Sequence, residues 1–337
     1  MDAIVLGSYG GPEVMELMPT SRVTPGKDEV LVRTRAVGLN PVDALQREGV
    51  FRALDPYTFP KIAGNELSGT VERVGKAVTK FAPGDEVITR VSLSDLGAFA
   101  EYVAVPEGFV AKAPARLDLA EAAGLPLVGL TAQQALGPEH LDVRSGDRLL
   151  ITGASGGVGL MAVQLAKLGG AHVTVTASPE GEEVVCEAGA DAVINYKERS
   201  VADGGERFDK VFDLVGGDQL PELFGAVEEG GRVVSIAGPP TPGSLTSSAV
   251  PGRKLLARLV PYVASAKLRL AARKAKVSYE FFLMDPDGEG LAQLAQLIDE
   301  GKLSLTIDST YPLEQYRDAF AKLEEGHAKG KIIIEWC

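Results

Sequence analysis

The pattern of apolar positions changes twice along the chain. Up to about Pro126 it consists of short β-type runs, DAIVL, EVLVRTRAVGL, LSGTVERVG, DEVITRV and AEYVAV, separated by Gly, Pro and Asp, which predicts a compact antiparallel β domain. From Asp147 strand, glycine turn and helix alternate: RLLIT, a helix over 157–169, HVTVTA, a helix over 180–188, then AVINY, KVFDLV, RVVSIAG and KVSYEFFL. Strands alternating with helices imply a parallel sheet covered on both faces, and six strands match a doubly wound domain. After Gly301 the β runs LSLTIDSTY and KIIIEW return around the helix LEQYRDAFAKLEEGH, so the tail is expected to rejoin the first domain and complete its sheet.

Composition narrows the function classes. A chain of 337 residues with 45% hydrophobic and 24% charged residues suggests two domains. Its net charge of -12 argues against nucleic acid, which needs a broad basic footprint. The two cysteines, Cys186 and Cys337, and the three histidines, His140, His172 and His327, are scattered, which leaves no metal-ligand spacing and no disulfide framework. With no signal-peptide pattern at the N-terminus and no run of about 18 apolar residues, the expected location is the cytoplasm.

The densest chemistry lies in ITGASGGVGLMAVQLAKLGGAHVTVTAS. Ala154-x-Gly156-x-x-Gly159 follows a strand and opens a helix expected to place Val158, Met161, Leu165 and Leu168 on one side. In a dinucleotide fingerprint the first position makes the tight turn, the second lets the backbone approach a pyrophosphate, and the third lets helix pack on strand. Here Ala154 takes the first place, and Ala154, Ser155, Gly156, Gly157, Val158 and Gly159 form the expected cradle at a helix N-terminus. An NAD site normally ends the second strand with Asp or Glu, whereas this chain has Thr176, Ala177 and Ser178. The missing carboxylate favours NADP(H), and Tyr196 is read either as a further donor to the 2′-phosphate or as packing. Glu180 and Glu182 argue the other way.

Between Pro239 and Tyr279 there is no Asp or Glu, while Arg253, Lys254, Arg258, Lys267, Arg269, Arg273, Lys274 and Lys276 accumulate. Leu255, Leu259 and Tyr262 fit one face of a basic amphipathic helix bent at Pro261. It is read as a solvated cover on the cofactor domain, a lid for an anionic ligand, or a membrane-surface patch over 253–276.

ITGASGGVG, LPLVGLTAQQAL, VGLNPVD, GAFAEYVAVPE, AVINY, KVFDLVGG and GHAKGKIII together resemble the medium-chain dehydrogenase/reductase superfamily, in its zinc-independent quinone oxidoreductase-like branch. The resemblance implies an α/β chain with a GroES-like β-rich catalytic domain over 1–124 completed by 302–337. A Rossmann domain with a six-stranded doubly wound parallel sheet would occupy 125–301 and carry a basic helical insertion at about 245–275. Where the zinc branch has G-x-C and G-H-E, this chain reads Gly38-Leu39-Asn40 and Gly64-Asn65-Glu66; the second ligand cysteine falls on Leu127, and the proton-relay serine and histidine on Val42 and Leu45. Asparagine supplies neither the thiolate nor the imidazole that zinc prefers, so no metal is expected.

The resemblance further implies NADPH-dependent hydride transfer to a small quinone or to the activated C=C bond of an enone or enal, with charge developing on the carbonyl oxygen. Asn40 is the first candidate donor to that charge, or else a turn residue before Pro41. Thr131 is assigned to the nicotinamide end, with Gln46 and Asn65 as polar liners and Tyr57 as a candidate proton donor beside solvent. Asp43 and Glu66 are read as buried partners or as members of an ion pair with Arg47. Val215, Gly216, Ala237, Gly238 and Phe282, at carboxyl ends of parallel strands, are candidate cofactor contacts. Lys331 is read either as reaching the cofactor phosphates or as a solvated charge. The basic residue that follows the second strand in quinone oxidoreductases falls on Gly181. Alternative activities are reduction of enoyl thioesters on CoA or a carrier protein, and a cofactor-binding interaction or membrane-associated role with little catalysis. Family members commonly pair through the last strand of the cofactor domain, here VSYEFFL, so a homodimer is expected.

Overall fold

The computed structural model describes residues 1–53, 55–242, 244, 245 and 254–336, with 254–258 as backbone only. The chain divides into two compact units, Met1–Leu130 with Asp285–Cys337, and Thr131–Met284. In the first unit a seven-stranded sheet has the order Ile307–Pro312, Lys331–Glu335, Glu29–Leu39, Glu66–Val74, Glu86–Arg90 and Val110–Lys112, and Tyr102–Pro106 also pairs with Glu29–Leu39. A smaller sheet joins Met15–Pro19, Asp2–Leu6 and Lys61–Ile62. The returning tail is a structural member: Ile332 lies opposite Leu39 and Glu335 opposite Ala36. Its Ile332, Ile334 and Trp336 join Ile4, Val32, Leu67, Phe99 and Phe320 in one core. Phe99 meets Phe320 edge-on at 6.2 Å, an arrangement worth about 1 kcal/mol beyond the area it buries.

The second unit holds six parallel strands in the order Ala192–Asn195, His172–Ala177, Arg148–Ile151, Phe208–Asp213, Val227–Ser235 and Ser278–Phe281. In chain order this is third, second, first, fourth, fifth, sixth, so the direction of winding reverses beside Arg148–Ile151, the crevice position where such sheets bind ligands. All of His172–Ala177 except its first residue is buried, as a strand covered on both faces requires.

Several boundaries differ from expectation. The helix Gly288–Asp299 belongs with the β-rich unit and not with a domain ending at 301: Leu294 lies so close to Gly129 that a side chain there would meet it at 2.8 Å, and Gly288 backs onto the Val110 carbonyl. The division between units falls within the helix Leu125–Leu136, beyond the expected residue 124. In the helix Gly157–Leu168 the buried positions are Gly159, Leu160, Met161, Ala162, Val163 and Ala166, and Leu168, expected on the same side as Met161, is exposed. The helix expected over 180–188 is a 3-10 turn, Pro179–Gly181, and a short helix, Glu182–Glu187.

The basic segment is two helices, Lys254–Ala264 and Ala266–Lys274. They break at Ser265 and not at Pro261, and the Ser265 hydroxyl donates to the Pro261 carbonyl at 2.6 Å. Leu259 and Tyr262 are exposed, so the apolar face identified from the sequence points outward. Arg253 and the side chains of Lys254, Leu255 and Arg258 lie outside the described residues, as does Cys337. No helix of the described residues is long and apolar enough to cross a membrane.

Candidate active site

In the parallel-sheet unit the strand Arg148–Ile151 delivers the chain into the glycine loop, and Gly156 caps the helix Gly157–Leu168 with no side-chain bond and no acidic residue in the first turn. A Cβ on Gly159 would lie 2.5 Å from the Cα and carbonyl oxygen of Ala154, so only glycine lets the helix approach the turn. A Cβ on Gly156 would meet nothing closer than 3.9 Å, which leaves this backbone open to a ligand. Thr176, at the end of the second strand, turns inward: its hydroxyl accepts from Gly153 N–H at 3.0 Å, and its carbonyl accepts from Ala154 N–H at 3.2 Å. The loop geometry therefore fits a pyrophosphate held by backbone N–H groups on a helix N-terminus.

Asp213 organises the neighbouring strand ends, a role that sequence reasoning missed because KVFDLVGG reads as a strand and turn. The fully buried carboxylate accepts from the Thr152 hydroxyl at 2.8 Å, the Ser235 hydroxyl at 2.6 Å and Gly216 N–H at 3.1 Å. Ser235 in turn accepts from Ala237 N–H at 3.2 Å and Gly238 N–H at 2.8 Å. Gly216 has φ 66° and no room for a Cβ, which would meet the Ala237 carbonyl at 2.3 Å. Val215 is exposed and lies over Gly153. Phe282 is different: it is buried with its ring 4.4 Å from that of His140, so it packs the end of the sixth strand and offers a ligand little surface. The hydrogen bond from His140 to Glu280 explains that histidine without a metal.

The end of the second strand shows why no base stands at residue 181. A Cβ on Gly181 would lie 2.9 Å from the Ser155 side chain, so the loop itself demands glycine there. Beside it, bonding to Ser178 first, then to backbone and to Lys197, pulls the exposed Glu180 carboxyl down to about 2. Lys197 Nζ reaches Glu180 at 3.1 Å, and Tyr196 is exposed next to it. Lys197 had no signal in the sequence beyond being one lysine among many.

The β-rich unit carries a buried polar cluster at the start of the helix Pro41–Glu48. Asn40 N–H donates to Asp43 at 2.8 Å, and the Asn40 amide donates to Glu66 at 2.7 Å and to the Gly38 carbonyl at 3.3 Å. Lys331 Nζ donates to Leu39 O at 2.7 Å, Asn40 Oδ1 at 2.5 Å and Glu66 Oε1 at 2.7 Å. The second Glu66 oxygen accepts from Leu127 N–H at 2.6 Å. Gly38 makes room for this carboxylate, since a Cβ there would fall 2.4 Å from it. Asn65 donates to Asp43 and to Gln46, each at 2.6 Å, while its own Oδ1 has no partner.

These contacts correct three expectations. Both amide hydrogens of Asn40 are committed within the protein, so Asn40 is a helix-start and network residue and not a free donor to substrate. Both amide hydrogens of Asn65 are likewise taken within the protein. Lys331 is neither solvated nor available to phosphates: it is buried and all three of its protons have acceptors. Arg47 pairs with Glu324 at 2.6 Å, leaving Asp43 and Glu66 to the asparagines and the lysine. Gln46 donates to the Leu93 carbonyl at 3.3 Å. Tyr57 is half-buried against Tyr9 and Phe59; burial, then Asp55 and Tyr9, push its pKa up, so it stays a neutral donor. Arg90, overlooked in the sequence, is buried with Nε and Nη1 unpaired, and burial draws it down to about 10 against the opposing pull of Glu66 and Asp43. Thr131 is buried in its helix at the first residue of the other unit.

A doubly wound parallel sheet with a glycine phosphate loop, set in sequence between the two parts of a β-rich unit, defines a two-unit dehydrogenase/reductase. Comparison with known proteins gives the family. Residues 26–115 match the alcohol dehydrogenase GroES-like domain, and residues 188–334 match the model described as zinc-binding dehydrogenase. The chain is 36% identical over 344 residues to a chloroplast envelope quinone oxidoreductase homolog of Arabidopsis thaliana, covering 99% of this chain and 98% of that one. It is 34% identical to the NADPH-dependent alkenal/one oxidoreductase of Arabidopsis thaliana chloroplasts, covering 99% of this chain and 79% of that one. The structure of Escherichia coli quinone oxidoreductase complexed with NADPH superposes with a TM-score of 0.80 at 26% identity, covering 99% of this chain and 100% of that one. The protein belongs to the medium-chain dehydrogenase/reductase superfamily, in its quinone oxidoreductase-like branch.

The zinc in one matching model's description does not fit the donors present. The positions of the expected ligands carry two amides and Leu127, and the Lys331 ammonium bonds Asn40 and Glu66 at this place. Among the described residues no group of three His, Cys, Asp or Glu is arranged to hold a metal.

Lys331→Met strands a buried carboxylate and is expected to cost about 3–5 kcal/mol in urea unfolding, with part recovered by adding Glu66→Gln; a loss under about 1 kcal/mol would show the pair to be peripheral.

Burial, opposed by Asn65, Asn40 and Lys331, raises the Asp43 carboxyl from 3.8 to about 6. The folded state therefore binds more protons in that interval, and stability falls as pH rises from about 4 to about 6, by on the order of 3 kcal/mol. Asp43→Asn should flatten this slope; parallel stability–pH curves for the two proteins would refute the assignment.

Proposed function

We propose that the protein is an NADPH-dependent, zinc-independent reductase of quinones or of the activated C=C bond in α,β-unsaturated carbonyls. The observation that carries this reading is the closed network of Asn40, Glu66 and Lys331 at the positions where the zinc branch holds its metal, in a chain that keeps an open pyrophosphate loop. Bound NADPH supplies the hydride. Ala154 to Gly159 hold the pyrophosphate, Val215 and the backbone at Gly216, Ala237 and Gly238 shape the strand ends beside it, and Thr131 faces the nicotinamide end. In the β-rich unit Tyr57 is the donor we assign to the substrate, and its phenol would bond the oxygen on which negative charge grows. The NADPH named for the alkenal/one oxidoreductase and for the Escherichia coli structure supports the same cofactor here.

The test is anaerobic oxidation of NADPH with 2-alkenals, quinones and enoyl-CoA esters, before and after dialysis against a chelator. Unchanged turnover of alkenals or quinones is expected; tight NADPH binding with no turnover of any substrate would overturn the proposal, and preference for the thioesters would move it to the alternative activity. Tyr57→Phe should lower kcat about a hundredfold while leaving the Michaelis constant for NADPH nearly unchanged.

Lys197 is the cation we assign to the 2′-phosphate, in exchange for its bond to Glu180. Lys197→Glu should raise the Michaelis constant for NADPH by about tenfold or more and leave that for NADH little altered. Equal effects on both cofactors would remove Lys197 from the site.

A further inference from the structure

We propose that the outward face of the helices Lys254–Ala264 and Ala266–Lys274 is a docking surface for an anionic lipid bilayer. Ten large apolar side chains are exposed among the described residues, and five of them, Leu259, Val260, Tyr262, Val263 and Leu270, lie within 259–270 at 53 to 74% exposure. Such clustering on a soluble unit marks an interaction site. The exposure does not come from a loosely placed segment: Leu268 and Ala272 are packed into the core of the parallel-sheet unit, and Pro261 and Ser265 are buried on the same side. With this stripe held inward, Leu259 and Val263, four apart in the first helix, and Leu270 in the second face away from the core.

Charge decides the occupant. The protein carries a net charge of -12, yet residues 239–279 contain no Asp or Glu. Lys267, Arg273 and Lys274 stand exposed beside the apolar stripe and make no ion pair among the described residues. The Arg269 guanidinium lies 4.3 Å over the Tyr262 ring and donates to the Tyr262 carbonyl, which holds that ring at the edge of the stripe. A second copy docking face to face would bring these cations against their own counterparts. An acidic protein surface would pair the cations and leave Val263, at 74% exposure, without an apolar sink. An anionic bilayer meets both needs, because headgroup phosphates take the cations while the side chains enter the acyl boundary.

The test is flotation of the full chain with vesicles of phosphatidylcholine alone and of phosphatidylcholine with phosphatidylglycerol, at low and high salt. The wild type should float with the anionic vesicles only and be released by salt. The triple variant Lys267→Glu, Arg273→Glu, Lys274→Glu should bind on the order of a hundredfold more weakly. Leu259→Ser, Val263→Ser, Leu270→Ser should also lose binding, with an unchanged thermal midpoint because these side chains are exposed. Absence of the wild type from anionic vesicles, or equal flotation of the charge-reversed variant, overturns the proposal. So does self-association that the serine variant abolishes without any vesicle binding, which would make the face an interface between copies.

Discussion

A lysine and a glutamate 265 positions apart in sequence meet at 2.7 Å, both almost wholly removed from water. Much of the β-rich unit follows from that contact. Two buried charges are tolerable only if every remaining donor and acceptor is matched, because desolvation alone costs several kcal/mol per ion. The matching groups come from separate parts of the chain: the carbonyl of Leu39, the amide of Asn40 and the backbone N–H of Leu127. Gly38 must lack a side chain for Glu66 to fit, and the C-terminal strand must lie antiparallel to Glu29–Leu39 for Lys331 to reach it. The return of the tail is thus an electrostatic requirement as well as a means of covering the core.

The parallel-sheet unit solves a related problem with a carboxylate that has no basic partner among the described residues. Asp213 gathers hydroxyls from Thr152 and Ser235 and the N–H of Gly216, so the first, fourth and fifth strands share one acceptor at their carboxyl ends. Each of those groups would otherwise be buried without a bond, at a cost of about 1–3 kcal/mol apiece. Gly156, having no side chain, leaves the helix that follows the glycine loop without a side-chain cap. A rigid frame with an open helix N-terminus is the condition for anion binding by backbone alone.

Architecture was the more legible part of the sequence. Period-two runs, the change to alternating strands and helices, and the tail's return are all local patterns, and the six strands and both halves of the β-rich unit follow them. Boundaries were less legible where packing outvotes local pattern, as with the helix Gly288–Asp299, whose glycines and leucines fit a facing surface that no single-segment reading contains. The glycine loop could be read because its demands are steric and fall within six residues. The roles of Asn40, Asn65 and Lys331 could not, because an amide or ammonium is a donor to substrate only if nothing in the protein already uses its protons. That depends on partners such as Glu66, which lies 26 positions from Asn40 and 265 from Lys331. Asp213 and Arg90 went unnoticed for the same reason: a charged residue inside a strand run has no local mark of burial.

The ammonium at this place also limits what chemistry the β-rich unit can perform. A metal ion with an open coordination position can take a substrate oxygen and polarise it. Lys331 cannot, since its three protons already have acceptors within 2.7 Å and releasing one would strand a buried charge. The cluster therefore contributes a fixed field and a rigid helix start instead of a Lewis acid. Asp43 adds to this by holding its proton up to about 6, which lessens the negative charge beside Asn65 and Gln46 in mildly acidic conditions. In the proposed reading the group that meets developing charge is the neutral phenol of Tyr57, kept protonated by burial. A donor of that kind stabilises charge by hydrogen bonding with little transfer of its proton. It suits a step in which an enolate or hydroquinone oxygen must be stabilised, and it suits poorly the oxidation of an alcohol, which needs a strong base or a metal to remove a proton.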